Sequence, residues 1–411
     1  MLNNLTEAIQ WIETRIKFRP KTDLERMKKA VEILDIDLSG IKKIHVAGTN
    51  GKGSVCSYIS YILIEAGYKV GTYTSPYLVR FNERIRLQMN EIEDTELFDL
   101  ILEVYNFNIV FEEKFGETLA FFELLTLMSM LYYSRKKVDV MVMEVGLGGL
   151  LDATNVINYD VSLISSIGFD HMKQLGNTLE SIAFNKLGIL KPGNHLITTV
   201  DPSLHPYFKD YVKNLQIDAE FYTLSDIERI SDLPLVFKAL NHTYELSLIG
   251  EYQLLNSLLS IAAIHYLFPN IDEDIIKKGL KKTKWLGRLE EIAQNVYLDS
   301  AHNTHALDSL KKTANHAFKD KEIWVLFSAL GDKDIAGMIS IVQSFSSRVV
   351  ITSFPDLRYQ DLKELAQGSI EYIEDALNAL KILRAEMNPN TIIMILGSLH
   401  FAGYIKQHFK G

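Results

Sequence analysis

Short apolar runs and longer amphipathic stretches alternate along most of the chain, a pattern that predicts βαβ units. Lys43–Ala47 reads as a strand, followed by a glycine-rich turn and a helix over Ser54–Ala66 that Gly67 ends. Val70–Thr74 is the next predicted strand, and helices over 94–114 and 119–136 lead into a strand at Val138–Glu144. Strands at Val161–Ser165 and His195–Val200 flank a helix over Thr178–Leu190, stopped by Pro192-Gly193. Between 217 and 250 the pattern shortens to runs such as Glu220–Tyr222 and Tyr244–Ser247, which predict a small antiparallel sheet. A helix over 253–267 closes this half, and Trp285-Leu286-Gly287-Arg288 reads as a joint. Beyond it the alternation restarts, with strands expected at Val296–Asp299, Ile323–Phe327, Arg348–Thr352 and Thr391–Leu396. Helices are expected over 304–317, 333–344, 359–367, 374–387 and Leu399–Phe409. The class is α/β, with one larger domain over 1–285 and a smaller Rossmann-like one over 286–411. Ligands of such folds favour the carboxyl ends of parallel strands and the cleft between domains.

Composition narrows the classes further. At 411 residues the chain is long enough for two or three domains, and 47% hydrophobic with 23% charged residues excludes a disordered or low-complexity protein. Lys and Arg total 43 against 52 Asp and Glu, so the net charge of -9 lacks the basic excess of a nucleic-acid binder. The single cysteine, Cys56, excludes an intramolecular disulfide and any Cys-rich zinc site. The most apolar stretch, Leu119–Tyr133, contains Glu123 and runs into Arg135-Lys136-Lys137, so it reads as a buried helix and not a membrane span. The start, MLNNLTEAIQWIE, is amphipathic without a basic leader region. The expectation is a cytoplasmic monomer acting on small molecules, with neither nucleic acid nor membrane as partner.

The strongest local signal is His45-Val46-Ala47-Gly48-Thr49-Asn50-Gly51-Lys52-Gly53-Ser54, which leaves an apolar strand and opens a helix. Glycines let backbone N–H groups turn around phosphate oxygens, the helix N-terminus adds partial positive charge, and Lys52 would reach the outer phosphates. The spacing departs from the strict P-loop: two residues separate Gly48 from Gly51, and Gly53 stands where Ser or Thr follows the lysine. The bland alternative is a glycine-rich turn without a ligand; strand, glycines, lysine and hydroxyl together favour phosphate. Glu144 ends the strand Val138–Met143, at the sheet edge that a P-loop shares, where a carboxylate suits Mg²⁺.

Several motifs in order resemble folylpolyglutamate synthase of the Mur ligase superfamily, an enzyme that in bacteria often doubles as dihydrofolate synthase. They are Gly48–Ser54, Tyr73-Thr-Ser-Pro-Tyr77 with Arg80–Arg84, Glu144–Gly149 followed by Leu-Asp-Ala-Thr-Asn155, Asp170-His171, and Lys186–Ile189. Gly287–Glu290, Asp299-Ser-Ala-His-Asn303 and Gly397–Leu399 complete the set, which spans nearly the whole chain. The resemblance implies a P-loop-type ATPase domain and a second ligase domain. The implied reaction joins L-glutamate to the γ-carboxylate of a folate through an acyl phosphate, releasing ADP and phosphate.

By the same resemblance Thr49, Asn50, Gly51, Lys52, Gly53, Ser54, Asn256, Arg288 and Asp299 contact ATP, and His302 lies near the reacting phosphoryl group. Ser75, Glu144 and His171 would hold magnesium, with two ions expected, and Lys186 would be carbamylated to carry the second. Lys52, His302, Lys186 and Arg288 form the expected catalytic set. Plainer readings exist for each: a solvated helix lysine, a satisfied imidazole at His171, an interdomain salt bridge at Arg288. Lys333 and Ser398-Leu-His400 are weaker, shaping the site at most. Departures from the family pattern are Leu150, Ser300, Thr304 and Tyr252, none of which removes a group that the chemistry needs. A Mur-type peptidoglycan ligase would need a separate domain before the phosphate loop, where only about 45 residues stand. A P-loop phosphotransferase keeps the stricter loop, and a non-enzymatic nucleotide module would lack the metal carboxylate.

Overall fold

The computed structural model describes residues 2–17, 23–331, 334–356, 358–359 and 361–409. They pack as two compact units, the first from Met1–Ser225 with Leu255–Lys282, the second from Asp226–Leu254 with Thr283–Gly411.

The first unit is built on eight strands: β1 (Lys42–Ala47), β2 (Val70–Tyr73), β3 (Ile85–Leu87), β4 (Asn90–Glu91), β5 (Val140–Glu144), β6 (Val161–Ile164), β7 (His195–Thr198) and β8 (Asp218–Phe221). Their order is β4-β3-β2-β5-β1-β6-β7-β8. From β2 to β8 the pairs are parallel, while β3 and β4 fold back antiparallel at one edge. Strands β5 and β6 are fully buried, as both-face burial in a helix-covered parallel sheet requires. The chain leaves β1 to build one side of the sheet and returns past it to build the other. The carboxyl end of β1 is therefore the place where loops diverge and open a crevice. One apolar core, including Tyr73, Leu125 and Tyr133, packs beneath helices Asp94–Phe115 and Phe121–Lys136. Another, including Leu163's neighbour Ile164, Leu187 and Phe208, lies under helices Leu179–Leu187 and His205–Leu215.

The second unit holds an antiparallel trio, β9 (Glu228–Asp232), β10 (Leu235–Ala239) and β11 (His242–Leu246). Its main sheet comprises β12 (Glu290–Ala293), β13 (Val296–Leu298), β14 (Glu322–Phe327), β15 (Arg348–Ser353), β16 (Ile370–Asp375) and β17 (Thr391–Leu396). The order is β12-β13-β17-β14-β15-β16, parallel except for the β12–β13 hairpin.

The α/β reading of the sequence holds, with two corrections. The helix expected over 359–367 is a single tight turn at Lys363–Leu365 followed by strand β16, residue 360 lying outside the described positions. Leu362 is buried but Leu365 stays 37% exposed, so a helix there has no apolar stripe to bury. Asp218–Phe221, expected in the small antiparallel sheet, instead extends the parallel sheet beside β7. The helices Glu25–Ile33, His205–Leu215 and Glu273–Lys282 and the short edge strands β3, β4 and β12 were not legible in the periodicity. No described helix is long and apolar enough to cross a membrane.

Candidate nucleotide and metal site

Three adjacent strands, β5, β1 and β6, deliver the site of the first unit to one sheet edge. The loop after β1 turns on Gly48 (φ +148°) and Gly51 (φ +89°), and helix Lys52–Glu65 begins at once. A Cβ on Gly48 would lie 2.0 Å from Ser165 Oγ, and one on Gly51 2.3 Å from Asn256 Oδ1. Glycine is required at both for the close approach as well as for the backbone angle.

The loop is held from its β6 side. The Thr49 N–H donates to the Ser166 carbonyl (2.7 Å), and the Asn50 N–H to Ser166 Oγ (3.1 Å). Ser165 Oγ donates to the Asn50 carbonyl (2.6 Å), while Thr49 Oγ1 accepts from the Gly168 amide (3.0 Å). Ser165 and Ser166 were not singled out in the sequence, although their place just past a parallel strand is where ligand loops lie. Ser54 is buried in the first helical turn beside Gly53, and Asn256 is 6% exposed against Gly51.

Lys52 Nζ donates to the carbonyls of Gly48 and Thr49 (3.3 Å each) and stands 3.9 Å from Glu144 Oε1. The other Glu144 oxygen accepts the Ser75 N–H at 2.9 Å. Lysine, carboxylate and the Ser75 turn thus meet where β1, β5 and β2 end. Lys186, on helix Leu179–Leu187, is 4% exposed, and its Nζ donates to the same Gly48 carbonyl at 2.8 Å. Burial pushes the Lys186 amine down to about 7, and the nearby charge of Lys52 adds to the fall. Leu150, where the family pattern departs, packs under this helix: a Cβ on Gly188 would fall 2.3 Å from its own. The Leu150 N–H donates to the Asn185 carbonyl at 2.7 Å, which ties the Gly-Gly loop to the Lys186 helix.

His171 is exposed, left-handed (φ +50°), and takes its backbone N–H to Asp170 Oδ1 (2.9 Å). Among the described residues no group of three His, Cys, Asp or Glu is gathered closely enough to cage an ion. Glu144 and Ser75 supply hard oxygen donors at the end of the phosphate loop. That donor set fits Mg²⁺, which in nucleotide sites takes one or two carboxylates and completes its shell with phosphates and water.

In the second unit Asp299 follows β13 and is 4% exposed. Its Oδ2 accepts the Leu289 N–H (2.9 Å) and the Tyr252 hydroxyl (3.1 Å), and its Oδ1 accepts the Ala301 N–H (2.8 Å). One carboxylate therefore fixes the residue after Arg288 and the residue before His302. Burial raises the Asp299 carboxyl above the usual carboxylate range, and the Arg288 charge opposes that rise. Arg288 folds back so that Nη1 donates to the Gly287 carbonyl (3.1 Å). His302 Nδ1 donates to the Ser300 carbonyl (2.9 Å), which sets Nε2 as its basic nitrogen. Ser398 caps helix Leu399–His408, accepting the His400 N–H at 3.2 Å. Lys333 lies outside the described residues.

A glycine-rich phosphate loop with a strand-end carboxylate, followed by a second α/β unit, defines a Mur-type ATP-dependent ligase. Residues 46–264 match the model of the Mur ligase middle domain, and 287–399 that of the Mur ligase glutamate ligase domain. The chain is 36% identical to the dihydrofolate synthase/folylpolyglutamate synthase of Bacillus subtilis over the full length of both. Among solved structures it resembles Mycobacterium tuberculosis folylpolyglutamate synthase complexed with ADP (TM-score 0.88, 27% identity, 98% and 97% of the two chains). It also resembles the bifunctional folylpolyglutamate synthase/dihydrofolate synthase of Yersinia pestis complexed with AMPPNP and Mn ion (TM-score 0.86, 27% identity, 98% of each chain). The chain belongs to the folylpolyglutamate synthase family.

Proposed function

We propose that this protein joins L-glutamate to the γ-carboxylate of a reduced folate, at the expense of ATP. The carboxylate takes the γ-phosphoryl group, becoming an acyl phosphate; the glutamate amine attacks the carbonyl, and phosphate leaves with the C–O bonding pair. A carboxylate repels nucleophiles until its charge is removed, so the protein's work is positioning and charge neutralisation. The observation that carries the reading is Lys52 Nζ standing 3.9 Å from Glu144 at the mouth of a glycine loop.

In this reading the amides of the first helical turn, Lys52–Ser54, receive phosphate oxygens, while Thr49 and Asn50 shape the loop through Ser166. Asn256 lies on Gly51 and completes the nucleotide contact. Glu144, Ser75 and His171 would hold magnesium, with a carbamylated Lys186 carrying a second ion; the metal would supply charge neutralisation for the phosphates. Lys186 is the carbamylation site: an amine held near 7 is substantially neutral at physiological pH and its lone pair can attack CO₂. The N–C bond forms, the nitrogen loses a proton, and the resulting anion faces the Lys52 cation. Arg288 stabilises the transferring phosphoryl charge, Asp299 contacts ATP, and His302 lies near the reacting group. The enzyme works in this reading as a cytoplasmic monomer.

The test is ADP release by purified protein with ATP, Mg²⁺ and L-glutamate, with and without tetrahydrofolate or dihydropteroate. Release that requires both glutamate and a pterin acceptor is expected. Release with neither acceptor would make the protein a phosphotransferase or ATPase. A second outcome concerns Tyr252: Tyr252→Phe removes one donor to Asp299, and KM for ATP should rise by roughly three- to tenfold, the net worth of an ordinary intramolecular hydrogen bond. KM for folate should stay within twofold, measured in the same assay.

A further inference from the structure

Arg84 closes the turn Phe81–Arg84 and is 6% exposed. Its guanidinium carbon lies 4.9 Å from the centre of the Tyr77 ring and 5.4 Å from the centres of the Phe81 and Phe121 rings. Three aromatic faces offset part of the cost of burying a cation, but a ring face cannot accept a guanidinium's N–H groups in their own plane. Nε is buried without an acceptor among the described residues.

The buried Arg86 and the half-buried Arg26 are treated differently. Arg86, two positions on, donates to Thr74 Oγ1 (2.9 Å), the Glu83 carbonyl and the Glu83 carboxylate (3.5 Å). Arg26 forks onto Glu123 at 2.9 and 2.7 Å. The acidic groups that Arg84 feels, Glu13 and Glu144, are both turned elsewhere. Glu13 accepts the Tyr77 hydroxyl at 3.0 Å, and Glu144 accepts the Ser75 amide beside Lys52. A planar fork without a carboxylate, walled by aromatic rings and within electrostatic reach of Glu144, is preorganised for an anion that the protein itself does not supply.

We infer that Arg84 receives the α-carboxylate of the folate's glutamyl group, the carboxylate that is not phosphorylated. The assignment rests on the ligase reading above. A glutamyl tail carries two carboxylates separated along the chain by two methylenes and the α-carbon, and the reaction requires that one alone reach the phosphate at Lys52. Holding the α-carboxylate in a bidentate grip leaves the γ-carboxylate as the reactive one, which makes Arg84 a determinant of where the peptide chain grows. The walls formed by Tyr77 and Phe121 suit the flat aminobenzoyl ring next to that tail.

The experiment compares tetrahydrofolate with its 4-aminobutyrate analogue, which keeps the chain length and the carboxyl to be activated but lacks the α-carboxylate. Wild type, Arg84→Met and Arg84→Lys are assayed for ADP release and for fluorescence-detected acceptor binding. Wild type should show a KM roughly tenfold or more lower for the folate than for the analogue, the discrimination expected when a buried charged group loses its partner. Arg84→Met should raise the folate KM to that of the analogue while KM for ATP and for the analogue stays within twofold. Arg84→Lys should recover part of the difference, since it restores charge without the fork. Equal KM values for the two acceptors in wild type overturn the assignment whatever the variants do. So does a parallel rise for both in Arg84→Met, or a lowered melting temperature with discrimination intact, which marks a purely structural cation. If wild type binds and turns over neither acceptor, the ligase reading itself falls, and Arg84's role with it.

Discussion

Lys186→Ala should lower kcat by roughly a hundred- to a thousandfold, the loss seen when one charge-stabilising group is taken from an active site, and added bicarbonate should not restore it. The reason lies in where this lysine sits. Its Nζ is buried against the Gly48 carbonyl, and burial together with the Lys52 charge brings the amine from 10.5 to about 7. An ordinary surface lysine is neutral only about once in 2,500 at pH 7, whereas this one, brought down to about 7, is substantially neutral there. Wild-type activity should therefore respond to bicarbonate and increase as pH rises through 7, and ¹³C-bicarbonate should give a carbamate resonance that Lys186→Ala lacks. Wild-type turnover in Lys186→Ala would remove the lysine from the mechanism.

The same shift has a stability consequence. Between pH 7 and 10.5 the unfolded chain holds a proton on Lys186 that the folded one has released, so stability should climb with pH across that window. Below 7 the folded state carries the full burden of a buried ammonium. Lys186→Met removes both effects. Its melting temperature at pH 7 without bicarbonate should exceed that of wild type and vary less between pH 7 and 10, measured by thermal denaturation.

Lys52→Ala should weaken ATP binding by roughly a hundredfold and remove turnover, because Lys52 supplies the amine beside Glu144 at the mouth of the glycine loop and charge-assisted contacts to phosphate are the strong ones. Titration calorimetry against ATP is the measurement, and an unchanged Kd would sink the phosphate-loop assignment. A secondary effect separates this lysine's two roles. With the Lys52 charge gone, Lys186 keeps its burial but loses the second cause of its depression, so its amine should titrate higher than in wild type.

Much of this was legible without coordinates because the signals are local. The run from Gly48 to Ser54 carries its own turn, cap and lysine within seven positions, and Glu144 is marked by the apolar strand that it ends. The helix over 359–367 was misread for a physical reason: its spacing of apolar residues is helical, but the burial that would reward a helix is absent at Leu365. Asp218–Phe221 was misassigned because a short strand shows no preference for parallel or antiparallel partners until β7 presents one.

What the amino-acid order determined by itself is the α/β alternation, the phosphate loop and the family, since hydrophobic period and turn chemistry act over a few residues. Only the tertiary structure decided that Lys186, 134 positions beyond Lys52 in the chain, donates to the same Gly48 carbonyl. It also decided that Ser165 and Ser166 clamp the loop, that Asp299 ties Arg288's neighbour to His302's, and that Arg84 is enclosed by aromatic rings without a carboxylate. Burial and hydrogen-bond partnership are properties of surfaces brought together by the sheet order. A lysine or arginine acquires an altered charge balance from its surroundings, and those surroundings come from segments far apart in sequence.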